Sequence, residues 1–294
     1  MKRLISVAIL LLTATASMVQ AQLLWKVTTP GSSHTSYIFG THHASSLRLD
    51  SLRTVRDAIA SVSDVYGEVD RQTMETPQFK QAMMTAMMAP ADSTLSKIYT
   101  PEELAEIDAM LARYTGGQLT TAALDTMTPN ALATILSMIV TTRAVPGYDP
   151  AFQLDGDIQT AARKAGKNIH GLETPDFQIQ TLFGQPISVQ ASELLRLARS
   201  KSDQLADAAA LNAAYLSGDL DRLAALMNNP ESGMNAEQRD RLIDSRNSAW
   251  AQFLCGILPA ASIMIVVGAG HLPGDKGILA LLACCGFKIE PVEN

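Results

Sequence analysis

The same short construction stands near both ends of the chain: an apolar, strand-like run, a glycine, and a histidine three residues beyond it. Near the start it reads Tyr37-Ile38-Phe39-Gly40-Thr41-His42-His43, and near the end Val266-Val267-Gly268-Ala269-Gly270-His271. Open α/β sheets bind ligands beyond the carboxyl ends of their strands, and a glycine there lets backbone and side chains come close to a ligand. Of the five histidines in the sequence, His42, His43 and His271 lie in these two turns.

The pattern around the turns predicts an α/β fold of mixed α+β character. Residues 23–28 and 35–39 form a hairpin around Pro30-Gly31-Ser32-Ser33, and Asp50 or Ser51 caps a helix running to about residue 61. A strand over 64–69, carrying Glu68, completes a βαβ unit. Residues 77–145 are a helical insert, with helices opened by Thr100-Pro101-Glu102-Glu103 and Thr128-Pro129. A helix over 155–165 and a short strand over 167–171 lead into Leu172-Glu173-Thr174, and helices follow over 188–217, 219–227 and 236–258. The end returns to strand, helix, strand over 262–267, 274–285 and 287–292. A central mixed sheet of two βαβ-type halves, flanked by helices, is therefore expected over residues 22–294 as a single domain.

Lys2 and Arg3, an apolar run over 4–12 and the small and polar residues closing on Val19-Gln20-Ala21 have the layout of a cleavable signal peptide. Cleavage is expected after Ala21, giving a secreted or periplasmic protein. The apolar run is too short to cross about 30 Å of hydrocarbon as a helix, so no stable membrane insertion is expected afterwards. The formal net charge of −6, without a basic cluster, speaks against nucleic acid as a partner. Cys255, Cys284 and Cys285 have no Cys-x-x-Cys spacing; the vicinal pair fits a buried helix, and either member could pair with Cys255 in an oxidising compartment.

His43 and His271 each follow their glycine by three residues, and Glu68 ends the next predicted strand. Two imidazoles and one carboxylate are a common ligand set for a catalytic divalent metal, which lowers the pKa of bound water toward about 7 and polarises a carbonyl. Arg246 and Asn247, on the amphipathic helix around Ile243, are placed to bind a substrate carboxylate or an oxyanion, and Glu173 to orient a ligand or act as base. Singly, each has an ordinary alternative: a loop histidine bonded to its neighbours, a salt-bridged helical arginine, a glutamate capping a helix. His34 and His170 read as structural. The glycines around Gly268 have the wrong spacing for a dinucleotide fingerprint, and Met83, Met84, Met87 and Met88 read as a packing face.

Leu24-Trp25-Lys26-Val27, Tyr37 to His43, Gly171-Leu172-Glu173-Thr174, Arg246-Asn247-Ser248-Ala249-Trp250 and Val267 to Leu272, in this order and spacing, resemble the TraB/GumN family over nearly the whole chain. The resemblance implies a mixed sheet covered by helices, a fold shared with the Tiki proteases and, more distantly, with erythromycin esterases and haem-binding ChaN-like proteins. It also implies His43, Glu68 and His271 as the metal or catalytic set. His42 stands where the family commonly has an apolar residue, so either neighbouring histidine could face the site, and His42 is kept as a substrate contact. The family's activities are uneven: metal-dependent peptidases, a polysaccharide-cluster protein, and proteins of pheromone shutdown.

The expectation is an exported metal-dependent hydrolase, a peptidase, using manganese, cobalt or zinc on His43, Glu68 and His271, with Arg246 also catalytic, on a peptide or small-molecule substrate. The alternative is a non-catalytic envelope protein binding a peptide or haem in the same cleft.

Overall fold

Alternation along the first strands sets the architecture. The computed structural model describes residues 23–292; the expected signal peptide lies outside them. Strands β1 (Leu24–Thr28) and β2 (Thr35–Thr41) form the expected antiparallel hairpin, with Lys26 opposite Tyr37. Ile38 and Phe39 are both fully buried, yet they belong to different cores, because successive side chains leave a strand on opposite faces. Helices therefore have to cover both faces of this sheet.

After β2, a 3₁₀ turn (Leu49–Ser51) precedes α1 (Arg53–Ser61), and β3 (Asp64–Gly67) follows. Neither Asp50 nor Ser51 caps α1, whose N-cap is Leu52 with no side-chain bond; Ser51 Oγ instead donates to Arg48 O within the turn. The middle of the chain is helical: α2 (Arg71–Met74), α3 (Pro77–Met87), α4 (Leu95–Ile98), α5 (Pro101–Thr115) and α6 (Pro129–Ala144). Thr100 and Glu103 form a capping box on α5, and Thr128 caps α6. Ile107, Leu111, Leu132 and Leu136 build a third core among these helices, joined by Leu194 from later in the chain. The methionine face of α3 is not packed as expected: Met84 is 64% and Met88 47% exposed, and α3 buries no residue fully.

Helix α7 (Leu154–Lys164) leads to β4 (Asn168–Gly171), then come α8 (Pro175–Phe183), α9 (Ile187–Arg199), α10 (Gln204–Leu216) and α11 (Leu220–Met227). The expected helix over 188–217 is divided, because Ser200 is extended and Asp203 caps a new helix by accepting from Leu205 N. Helix α12 (Ala236–Arg239) runs through a π turn (Asp240–Asp244) into α13 (Ser245–Ile257), followed by β5 (Ile263–Gly268), a 3₁₀ turn (Ala269–His271), α14 (Ile278–Cys284) and β6 (Lys288–Pro291). Cys255 of α13 is bonded to Cys285 just past α14, while Cys284 is an exposed free thiol; the vicinal pair sits at a helix end, not on a buried helix.

The six strands lie in the order β4-β3-β5-β2-β1-β6. Both βαβ-type halves are present, but neither closes on itself. Strands β2 and β3 are parallel and leave one place between them, which β5 fills. Strand β6 returns to the far edge and pairs antiparallel with β1. The glycine turn from the end of the chain is thereby inserted between the two junctions from its beginning.

Candidate active site

Four parallel strands finish at one edge of the sheet, and the residues that leave them are His42 and His43 after β2, Ala269 to His271 after β5, Glu68 after β3, and Leu172 and Glu173 after β4. The ladder continues one step past the strands: Leu172 N donates to Gly67 O and Glu173 N to Glu68 O, each at 2.9 Å. Glu68 and Glu173 thus leave adjacent strands side by side.

Two carboxylates so placed repel unless a cation lies between them. Arg246, on the first turn of α13, is that cation. Its Nη2 donates to Glu68 Oε2 at 2.7 Å and to Glu173 Oε1 at 2.6 Å, and its Nε to Glu173 Oε2 at 3.0 Å. Nη1 donates to Leu242 O in the π turn at 2.9 Å, and the guanidinium lies over the Trp250 ring at 4.7 Å. Glu68 Oε1 accepts from Gly268 N at 2.8 Å. A Cβ on Gly268 would stand 3.3 Å from that oxygen, so the glycine is what lets the carboxylate settle on the backbone of the neighbouring strand. Burial alone would raise the Glu68 carboxyl; His271, Arg246, His43 and the Gly268 N–H overcome it and hold its pKa at about 2. Burial dominates at Glu173, whose carboxyl is raised despite Arg246, with Glu68 adding to the effect.

His271 completes the cluster from the other side. It is 4% exposed, its ring 4.6 Å from that of Trp250. Asn247 fixes it: Nδ2 of Asn247 donates to His271 O at 3.2 Å and to Lys276 O at 2.8 Å, which leaves Oδ1 as the acceptor 2.7 Å from His271 Nδ1. The proton of the neutral ring is therefore on Nδ1, and the lone pair of Nε2 points into the cluster, 3.3 Å from Arg246 Nη1 and 3.9 Å from Glu68 Oε1. Burial lowers the His271 pKa to about 4, with Arg246 assisting against the pull of Glu68, so the ring is neutral at physiological pH. Asn247 is 0% exposed and its amide is spent inside the protein; it positions His271 and does not face a ligand.

The two neighbouring histidines have different surroundings. His42 turns its ring onto Tyr215, 5.3 Å away, and burial lowers its pKa to about 4, with His43 contributing. His43 stands outside the cluster's hydrogen bonds: its Nδ1 lies 3.2 Å from Asp155 Oδ1, and its side chain is 54% exposed. Desolvation pulls the His43 pKa down, but the hydrogen bond and charge of Asp155, with Glu68 behind them, outweigh it and raise the value. Asp155 Oδ2 in turn receives Arg71 Nη1 at 3.2 Å. With Nδ1 turned to Asp155, His43 Nε2 is the nitrogen left for a ligand or water. Asp155 and Arg71 are the members that sequence reading missed. Asp155 lies 112 residues from His43 and reads along the chain only as an acidic first-turn residue.

This arrangement does not fit a divalent metal on His43, Glu68 and His271. Both oxygens of Glu68 are already engaged, and the guanidinium of Arg246 fills the space that Glu68 and His271 share. Among the described residues no three His, Cys, Asp or Glu side chains are grouped so as to hold a metal ion.

A helix-flanked mixed sheet with a carboxylate, arginine and histidine cluster on the ends of its parallel strands defines an α/β protein with a strand-end polar site. The chain belongs to the TraB/PrgY/gumN family, whose model matches residues 23–291. Comparison with curated proteins and with solved structures gave no match. No helix among the described residues is long and apolar enough to cross a membrane.

Proposed function

We propose that the protein is an exported hydrolase of peptide-like acyl bonds in which His43 is the general base. The observation that carries this reading is the His43–Asp155 pair. An imidazole held through Nδ1 by the partly buried Asp155 carboxylate presents a basic Nε2 on a side chain that is 54% exposed, and its raised pKa makes it a stronger proton acceptor than a free imidazole. Asp155 sets the tautomer and stabilises the imidazolium once the proton has moved. Glu68, Arg246 and His271 form a fixed field beneath it, with dipoles that need not reorganise as charge develops on the substrate. The Cys255–Cys285 disulfide supports export, since such bonds persist in oxidising compartments.

The test is cleavage of a peptide library by the mature protein, with and without chelator and with added manganese, cobalt or zinc, beside His43→Ala and Asp155→Asn. The reading expects activity that survives the chelator and falls about 10²–10⁴-fold in His43→Ala. Full activity in His43→Ala refutes it; activity only with added metal restores the metal-dependent form. A second reading, a non-catalytic protein holding a peptide or haem in the same cleft, draws support from Arg246, whose three nitrogens are all satisfied within the protein. A ligand bound tightly and recovered intact would favour it.

A further inference from the structure

The helix bearing Arg246 and Asn247 starts irregularly. At the π turn Ser245 N donates to Asp240 O, five residues back instead of four, and a turn holding one extra residue carries every later side chain about 100° round from its place in an unbroken helix. Arg246, Asn247 and Trp250, all buried, follow this turn. Asp244 closes it with a side chain only 8% exposed, which meets Arg239 Nε at 3.3 Å through Oδ1 and Lys276 Nζ at 3.1 Å through Oδ2. Lys276 lies in the loop between the His271 turn and α14, and its backbone carbonyl accepts from Asn247 Nδ2 at 2.8 Å. Residue 276 is thus held by both its side chain and its backbone to the stretch from Asp244 to Asn247. The loop is also tight: a Cβ on Gly277 would stand 2.2 Å from Leu272 O and 2.4 Å from Pro273 O, so a shift at Lys276 reaches the residue after His271.

We propose that Asp244 is a positioning residue for the strand-end site. Paired with Lys276, it fixes the loop carbonyl that orients the Asn247 amide, and that amide in turn fixes His271 through the 2.7 Å contact of Oδ1 with Nδ1. Paired with Arg239, the last residue of α12, it holds the π turn whose Leu242 O accepts from Arg246 Nη1 at 2.9 Å. One carboxylate outside the cluster therefore governs how Arg246 Nη1 and His271 Nε2, 3.3 Å apart, face each other. An ion pair to a lysine whose side chain is 65% exposed adds little stability, so orientation is the role left to the Asp244–Lys276 contact. The inference stands apart from the hydrolase reading, because it holds whether the site cleaves a ligand or only binds one.

Exchange of the His271 Nδ1 proton with solvent, followed by nitrogen NMR of the whole mature protein, tests it. Lys276→Met and Asp244→Asn should each speed this exchange about tenfold, the effect of loosening one hydrogen bond to the ring, while the backbone amides of β5 keep the parent rates. Lys276→Arg, which keeps a cation opposite Asp244, should return the Nδ1 rate to within about twofold of the parent. A role in stability alone would instead quicken the ring proton and the β5 amides together, through global unfolding. That result overturns the proposal, and so does an unchanged Nδ1 rate in Lys276→Met. If Asp244→Asn does not fold, the Lys276 variants, changed at an exposed side chain, decide alone.

Discussion

Nδ1 of His271 lies 2.7 Å from Oδ1 of Asn247, and because the amide nitrogen of Asn247 is spent on two carbonyls, the imidazole must be the donor in that bond. The lone pair of Nε2 is then committed to the cluster. Nitrogen NMR of the imidazole at pH 7 should show His271 neutral and protonated at Nδ1; a protonated Nε2 would contradict the assigned geometry. Asn247→Leu strands both carbonyls and the Nδ1 proton, and about 1–3 kcal/mol per unpaired group should appear in urea unfolding.

Acid should weaken the fold in two stages. His42 and His271 have folded pKa values of about 4 against 6.5. Between those values the unfolded chain binds protons that the folded chain does not, so stability falls as pH drops from about 6.5 to about 4. His43, raised above 6.5, works in the opposite sense: its contribution is complete well below 6.5 and is lost as pH rises. Below about 4.5, Glu68 joins as its carboxyl titrates toward about 2. Urea midpoints across pH 4–7 measure the first stage, and His271→Gln should flatten it.

Removing Arg246 should be among the most damaging single changes. Arg246→Ala leaves Glu68 and Glu173 facing each other in a nearly closed site, and breaking a buried pair in this way costs about 3–5 kcal/mol. Arg246→Met combined with Glu68→Gln and Glu173→Gln should recover part of that loss in thermal unfolding, because no buried charge then remains unpaired. A triple variant no more stable than Arg246→Ala would remove the electrostatic explanation.

The two glycine turns press on each other. A Cβ at Gly40 would come within 2.7 Å of Leu272 Cδ1 and 3.1 Å of the Ala269 backbone. Gly40→Ala should cost about 1–3 kcal/mol through overpacking, read as a lower urea midpoint with an unchanged slope.

The Cys255–Cys285 bond, across 30 residues, ties the helix bearing Arg246 to the helix after the His271 turn. Reduction, or Cys285→Ala, should lower stability by up to about 3–4 kcal/mol, as loop-closure entropy sets the ceiling. Cys284→Ala, at an exposed thiol, should stay within about 0.5 kcal/mol of the parent protein.

Much of this fold is local chemistry and was readable along the chain. Thr100 with Glu103, Thr128 before Pro129, and the apolar β-branched run of β5 name their elements without any tertiary partner. The two Gly-x-x-His turns and Glu68 were readable as a site for the same reason, since strand ends carrying glycine and titratable groups are where α/β sheets bind ligands. The division of the helix at Ser200, the choice of Cys285 over Cys284, and the exposed methionines of α3 were not, because each depends on what packs opposite.

The sequence by itself determined that two histidine turns and a glutamate sit at strand ends. Only the tertiary structure decided that β5 enters between β2 and β3, bringing His271 between His43 and Glu68, and that Arg246 lies among them. Residues leaving neighbouring parallel strands converge whatever their separation along the chain, and which strands are neighbours is set by burial of both sheet faces. Asp155, the partner of His43, and Arg246 come instead from the first turns of helices α7 and α13, and Arg246 stands where the ligand set alone suggested a metal.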